Sequence, residues 1–182
     1  MTLFYEFILF LLSIFLLIIF FAYLSVLQGF FHAAPWVPLS KKNLVNLIDS
    51  LEAEPQEIVY DLGSGDGRIL ISAVLKYDLK KAVGIEISWF FCFWSKLKIW
   101  LNGLKNRIFI KRGNFFKRDI SEADIVICYL MPKCLGKLKD KFRKELKPGS
   151  KIFSVAFTIP NLKPEKIIKK EKCLPIYFYK IL

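Results

Sequence analysis

Apolar residues are distributed along this chain in two regimes. From Phe7 to Leu27, 21 successive residues carry no charge, and Ser13 and Ser25 are the only clearly polar members. As one helix this run is ~31 Å long, close to the hydrocarbon thickness of a bilayer. Beyond Ser40 the apolar residues come in short runs broken by polar turns. A helix is predicted over Lys41–Leu51, N-capped by Ser40. Strands are predicted over Glu57–Leu62, Ala82–Ile87, Arg107–Lys111, Ala123–Leu130 and Lys151–Ile159, and two closing strands over Ile167–Lys172 and Pro175–Leu182. Between them, helices are predicted over Arg68–Tyr77, Ser88–Leu104 and Lys133–Leu146, the last stopped by Pro148-Gly149. Alternating elements of these lengths predict an α/β domain with a mostly parallel sheet of seven strands and helices on both faces. Ala123–Leu130 is apolar enough to be buried on both sides.

The domain organisation follows: a transmembrane anchor over residues 1–31, a linker over 32–40 containing Pro35 and Pro38, and a catalytic-sized domain over 41–182. Other origins of the apolar run are a buried core helix and a cleaved signal peptide. The run is longer than a signal h-region, and no Lys or Arg precedes it. The expectation is an uncleaved single-pass anchor.

Charge sharpens this division. The chain has 28 basic and 16 acidic residues. Residues 1–40 contain no Lys or Arg and one acid, Glu6, so the rest carries 28 basic against 15 acidic residues, a net +13. Lys41 and Lys42 soon after the span place the domain in the cytoplasm by the positive-inside rule. The single histidine, His32, lies outside the basic domain. This excludes Ser-His-Asp and Cys-His nucleophiles and a His-built metal site there. Cys92, Cys128, Cys134 and Cys173 form no C-x-x-C pair and are expected to be reduced. The basic stretches Lys133–Lys151 and Lys163–Lys172 suit acidic lipid or plain solvent better than nucleic acid. The predicted helix Ser88–Leu104 holds Trp89, Phe90, Phe91, Phe93, Trp94 and Trp100. Its aromatics have two readings, core packing and contact with a bilayer interface.

The chemistry sits in Asp61-Leu-Gly63-Ser64-Gly65-Asp66-Gly67, between the first strand and the helix that follows. Glycines allow a sharp turn and a close ligand approach. A dinucleotide fingerprint would space its third glycine one residue later. Two acids, Asp61 and Asp66, are poor neighbours for a pyrophosphate and suit a ligand bearing positive charge. S-adenosyl-L-methionine has an ammonium, a sulfonium and no phosphate. Glu86 ends the second strand, 25 residues after Asp61, where an acid can accept from both ribose hydroxyls.

VYDLGSGDGRI resembles motif I of the class I S-adenosylmethionine-dependent methyltransferases. APWVP at Ala34–Pro38, GIEIS at Gly84–Ser88, RGNFF at Arg112–Phe116, YLMP at Tyr129–Pro132 and ELKPGSKIFS at Glu145–Ser154 follow in the order found in one family. It contains the membrane-anchored mitochondrial lysine methyltransferases of adenine nucleotide translocase and of the ATP synthase c subunit, with prokaryotic relatives. It is similar in turn to the non-SET histone-lysine methyltransferase. The resemblance covers about residues 33–182 and implies a Rossmann-like class I methyltransferase domain.

By position, the resemblance assigns Asp61, Gly63, Ser64 and Gly65 to the methionine part of the cofactor and Glu86 to the ribose. Asn114 and Phe115 would flank the adenine. The family usually carries an acid at 114, and an Asn carbonyl accepts the same hydrogen bond without charge assistance. Tyr129 and Pro132 would lie beside the transferred methyl group, and Trp36 is expected to close the pocket from the membrane side. Packing at a strand end is an equal reading of Trp36 and Tyr129. No general base and no metal site stand out. Asp124 is expected to be structural.

The resulting expectation is a methyltransferase acting on a lysine of a membrane or membrane-adjacent protein, in a prokaryotic plasma membrane or a mitochondrial one. The alternatives are a nucleic-acid or small-molecule methyltransferase at the membrane, and a binding module without turnover. A base-methylating enzyme would typically carry (D/N/S)-P-P-(Y/F) where Tyr129-Leu-Met-Pro stands, which argues against nucleic acid.

Overall fold

The computed structural model describes residues 2–31 and 37–182. Trp36 and most of the expected linker therefore lie outside the described residues. The first element is α1 (Thr2–Phe31). Its window Phe4–Phe21 has a mean hydropathy of 2.7 and none of it is buried. Among the described residues it is the helix long and apolar enough to cross a membrane. Its exposure excludes the reading of a buried core helix within this chain.

The rest forms one α/β unit. In chain order the elements are α2 (Lys41–Ser50), β1 (Val59–Leu62), α3 (Arg68–Tyr77), β2 (Ala82–Glu86), α4 (Trp89–Leu101), β3 (Ile108–Arg112), β4 (Ile125–Cys128), α5 (Pro132–Glu145), β5 (Lys151–Val155), β6 (Lys166–Ile168) and β7 (Ile176–Lys180). The sheet has seven strands in the order β3-β2-β1-β4-β5-β7-β6. β1 to β5 run parallel, and β7 inserts antiparallel between β5 and β6. This is the class I methyltransferase arrangement expected from the sequence.

Both faces of the sheet are covered. Leu47 of α2, Leu70 and Ala73 of α3 and Ile99 of α4 join Val59, Ile125 and Ile127 on one face. Leu135, Leu138 and Phe142 of α5 pack against Tyr60, Val126 and Ile152 on the other. β1, β2 and β4 are buried at every residue, as central parallel strands require. Ser40 caps α2 by accepting from the Asn43 N–H at 3.4 Å. Leu39 is buried and its carbonyl accepts from Arg68 at 3.1 Å, which ties the chain leaving α1 to the first helix after the glycine turn.

Strand order reverses between β1 and β4, whose neighbours lie on opposite sides. Ligands of open α/β sheets bind outside the carboxyl ends of the strands at such a point. The residues following β1, β2, β3 and β4 therefore line the candidate ligand crevice.

Candidate active site

The glycine turn after β1 is held from beneath by β2. The Gly63 and Ser64 N–H groups both donate to the Ile85 carbonyl, at 2.8 and 3.2 Å. Gly63, Gly65 and Gly67 all have positive φ, 80°, 51° and 77°, which side chains on Cβ disfavour. At Gly84, a Cβ would stand 2.5 Å from Ser64 Oγ, so the absence of a side chain lets the turn rest on the strand.

Glu86 joins the separate pieces. Its Oε2 accepts from the Gly65 N–H at 2.9 Å and its Oε1 from the Ser88 N–H at 2.8 Å. Its backbone carbonyl accepts from the Gly113 N–H at 2.8 Å, drawing the loop after β3 beside it. That loop carries Asn114 and Phe115, both half-buried. The rings of Phe115 and Phe116 pack at a tilt of 54° with centroids 4.6 Å apart. The Asn114 carbonyl oxygen accepts from the Phe116 N–H at 2.9 Å, so the turn uses part of its accepting capacity and leaves a second lone pair.

The two acids of the turn have different environments. Asp66 accepts from Arg68 Nε and Nη2, both at 2.9 Å, and from Lys98 Nζ at 2.7 Å. Burial opposes its ionisation, but these cations hold its carboxyl below the usual range. Its charge is spent within the protein, which corrects the expectation that both acids face a cationic ligand. Asp61 has no such partner. It is 1% exposed, and its Oδ2 is buried without a hydrogen bond. Burial, with Glu86 and Asp66 adding repulsion, pushes its pKa up to about 8. Burial also raises Glu86, against the backbone N–H donors that favour its charged form. The buried Ser64 Oγ is likewise without a partner.

Two orphaned buried oxygens at a glycine turn are costly unless a ligand satisfies them. A cationic amino-acid moiety with hydrogen-bond donors supplies what Asp61 lacks. The residues present therefore fit S-adenosylmethionine, and the same edge would not suit a pyrophosphate.

β4 supplies the remaining wall. Tyr129 follows Cys128 directly and is half-buried against the helical face that bears α2 to α4. Leu130 Cδ2 lies 3.3 Å from where a Gly63 Cβ would be, so this loop closes over the glycine turn. Pro132 opens α5, exposed, two residues beyond. Motif I, Glu86, the Asn114–Phe115 loop and Tyr129 thus share one edge of the sheet, and Pro132 borders it. Asp124 lies at the opposite end of β4, where its Oδ2 accepts from the Ile58 N–H at 2.8 Å, a structural role. The sequence reading missed the contributions of Arg68, Lys98 and Ser88. Lys98 is 32 residues from Asp66, and only the packing of α4 against the turn brings them together. Ser88 carried a visible signal as the helix-capping residue of α4.

Residues 61–166 match the ANTKMT methyltransferase domain family. The chain is 41% identical over 137 residues to a protein-lysine N-methyltransferase of Saccharolobus islandicus, covering 75% of this chain and 85% of that protein. It is 30% identical over 134 residues to the adenine nucleotide translocase lysine N-methyltransferase of Mus musculus, covering 74% of this chain and 58% of the mouse protein. A crystal structure described as an RNA methyltransferase from Salinibacter ruber, holding S-adenosyl-L-homocysteine, superposes with a TM-score of 0.76 at 30% identity. That match covers 80% of this chain and 94% of the other. The cofactor edge and these matches together show that the chain belongs to the ANTKMT methyltransferase domain family and is an S-adenosylmethionine-dependent methyltransferase.

Proposed function

We propose that this enzyme methylates lysine side chains of a membrane or membrane-adjacent protein, with residues 1–31 as anchor, 32–40 as linker and 41–182 as catalytic domain. The observation that carries the lysine assignment is the 41% identity to a protein-lysine N-methyltransferase across 85% of its length. The membrane assignment is supported by the exposed apolar α1. Lys41-Lys42 soon after it favour a domain in the cytoplasm. A prokaryotic plasma membrane is the setting favoured, or a mitochondrial membrane in a eukaryotic host.

Each residue then has a task. The Asp61 carboxylate offsets the ligand's ammonium, while Gly63, Ser64 and Gly65 let the backbone approach it. Glu86 accepts from the ribose hydroxyls. Its two backbone donors fix the carboxylate's orientation, so little reorganisation remains at binding. Asn114 and Phe115 border the adenine. Trp36 is assigned to the lid over the same pocket. When bound, the cofactor supplies an electrophilic methyl group on a sulfonium. Tyr129 and Pro132 form the acceptor side, where their role is to align the lysine amine and exclude water. Desolvation lowers the lysine pKa, and the proton leaves to solvent before transfer. No general base is assigned on the acceptor side, because an amine already deprotonated on binding can accept the methyl group directly.

A second reading is favoured by one observation, the structural match to a protein described as an RNA methyltransferase. Labelled methyl transfer from S-adenosylmethionine into a membrane fraction separates the two. The lysine reading predicts a gel band removed by protease, resistant to nuclease and absent with Glu86→Ala. Nuclease-sensitive label would replace it with the nucleic-acid reading.

A further inference from the structure

α4 is apolar on two opposite faces. At ~100° per residue, Phe91, Cys92, Ser95 and Ile99 share one arc and are buried against the sheet. Trp89, Phe93, Leu97 and Trp100 occupy the opposite arc, flanked by Trp94 and Leu101. Phe93 is 60% exposed, Trp100 61% and Leu101 67%. A helix covering a sheet needs one apolar stripe, and its outer face is normally polar. An outer stripe of three tryptophans beside Phe93 and Leu101 is a surface that water solvates poorly.

Two observations identify what covers it. First, the stripe is continuous with α1. The rings of Phe21 and Trp89 meet edge to face, with centroids 6.0 Å apart. Trp89 therefore lies against the apolar helix itself, at its domain-proximal part. Second, the charges bordering the stripe are basic. Lys96 is on one flank. Lys98 on the other lies 5.8 Å over the Trp94 ring while its charge is held by Asp66. Beyond Lys96, Lys105 and Lys111 border an open groove of about 610 Å³ floored by Ile99 and the exposed Phe109. Tryptophan at the apolar–polar boundary flanked by lysine, with Lys96 exposed, is the composition of a helix lying in a bilayer interface.

We propose that the outer face of α4 is a second membrane contact, lying in the headgroup region of an anionic phospholipid bilayer beside α1. This rests on the membrane-anchored reading above and extends it to the acceptor. Ser88 caps α4 by accepting from the Phe91 N–H, and its own N–H donates to Glu86. Seating α4 on the surface therefore sets the cofactor edge at the headgroup plane. The substrates it selects are lysines presented at that plane, in juxtamembrane segments of membrane proteins.

The test uses the full chain carrying Trp36→Phe, so that all remaining tryptophans belong to α4. It is reconstituted in vesicles of phosphatidylcholine and phosphatidylglycerol, with and without bromine on the upper acyl chain. Brominated lipid is expected to quench the emission, because interfacial tryptophans lie within reach of the upper acyl chain. Adding Phe93→Asp and Leu101→Asp should abolish most of that quenching without changing the melting temperature of the domain. Alkaline extraction of the same vesicles reports separately on α1. Resistance to extraction with unquenched tryptophans would leave the anchor standing and overturn the α4 contact. Unquenched emission with a cross-linked dimer would assign the face to a second copy, and with a monomer would leave it in solvent; either overturns the proposal. Quenching of an extractable protein would support α4 and overturn the anchor.

Discussion

Replacing Asp61 with Asn is expected to uncouple cofactor binding from pH. In the free protein the Asp61 carboxyl is buried, lacks a hydrogen bond at Oδ2, and titrates near 8 against an ordinary value of 3.8. That displacement corresponds to on the order of 6 kcal/mol of disfavoured charge. At pH 6 to 7 the group is therefore protonated until a cation arrives. Binding of an ammonium makes the ionised form the favoured one, so one proton leaves for each cofactor bound. The dissociation constant falls about tenfold per pH unit across this window, which lies below the titration of the ligand's own amino group. Calorimetry at pH 6.5 in two buffers of different ionisation enthalpy measures the proton count directly. The Asn variant is expected to release none and to bind on the order of 10- to 100-fold more weakly at pH 7.5, having lost a charge-assisted contact. Stability runs the other way. A carboxyl with a raised folded pKa gives stability that is complete below 3.8 and is lost as pH rises through about 8. The Asn variant escapes this loss and is expected to melt above the wild type at pH 9 without ligand. A pH-independent affinity and zero released protons in the wild type would refute the reasoning.

Two further substitutions test other parts of the site. Gly84→Ala places a Cβ 2.5 Å from Ser64 Oγ and 2.8 Å from Ile110 Cδ1; it is expected to cost ~1–3 kcal/mol in thermal unfolding and to weaken cofactor binding about tenfold. An unchanged affinity would show that Ser64 does not set the turn. Asn114→Asp restores a charged acceptor beside the proposed adenine position, and is expected to lower the dissociation constant by about tenfold. A weaker complex in direct titration would place the adenine elsewhere.

The grouping of the candidate site was largely legible because its signals are local. The glycine turn, the acid before it and the acid closing the next strand lie within 26 residues, and their spacing reflects one βαβ unit. α3 spans the Arg68–Tyr77 expected from its pattern. β3, α5 and β6 each reach one residue beyond the expected range, to Arg112, Pro132 and Lys166, and several other boundaries moved inward for reasons that hydrophobicity does not encode. β1 begins at Val59, two residues after Glu57, whose side chain instead accepts from the Glu54 N–H at 2.8 Å. α4 stops at Leu101 because Gly103, at φ 71°, turns back to donate to the Trp100 carbonyl. β5 ends at Val155, where Ala156 takes a φ of 71°, a left-handed conformation that its residue type does not announce. The fate of Asp66 was not legible at all. Its partners are an adjacent arginine and a lysine from α4, and which side chains face the turn depends on how α4 packs. The aromatics of α4 divide between its two faces: Phe91 serves the core, while Trp89, Phe93, Trp94 and Trp100 are exposed on the outside.

The central claim is that this cofactor edge delivers methyl groups to lysine, and amino-acid analysis of the labelled product tests it most directly. Protein labelled from S-adenosylmethionine by the wild-type enzyme, with Glu86→Ala as control, is hydrolysed and its radioactive amino acids are separated. Label recovered as methylated lysine, and lost with the variant, is the predicted result. Label in a nucleoside or in any other amino acid would contradict the account.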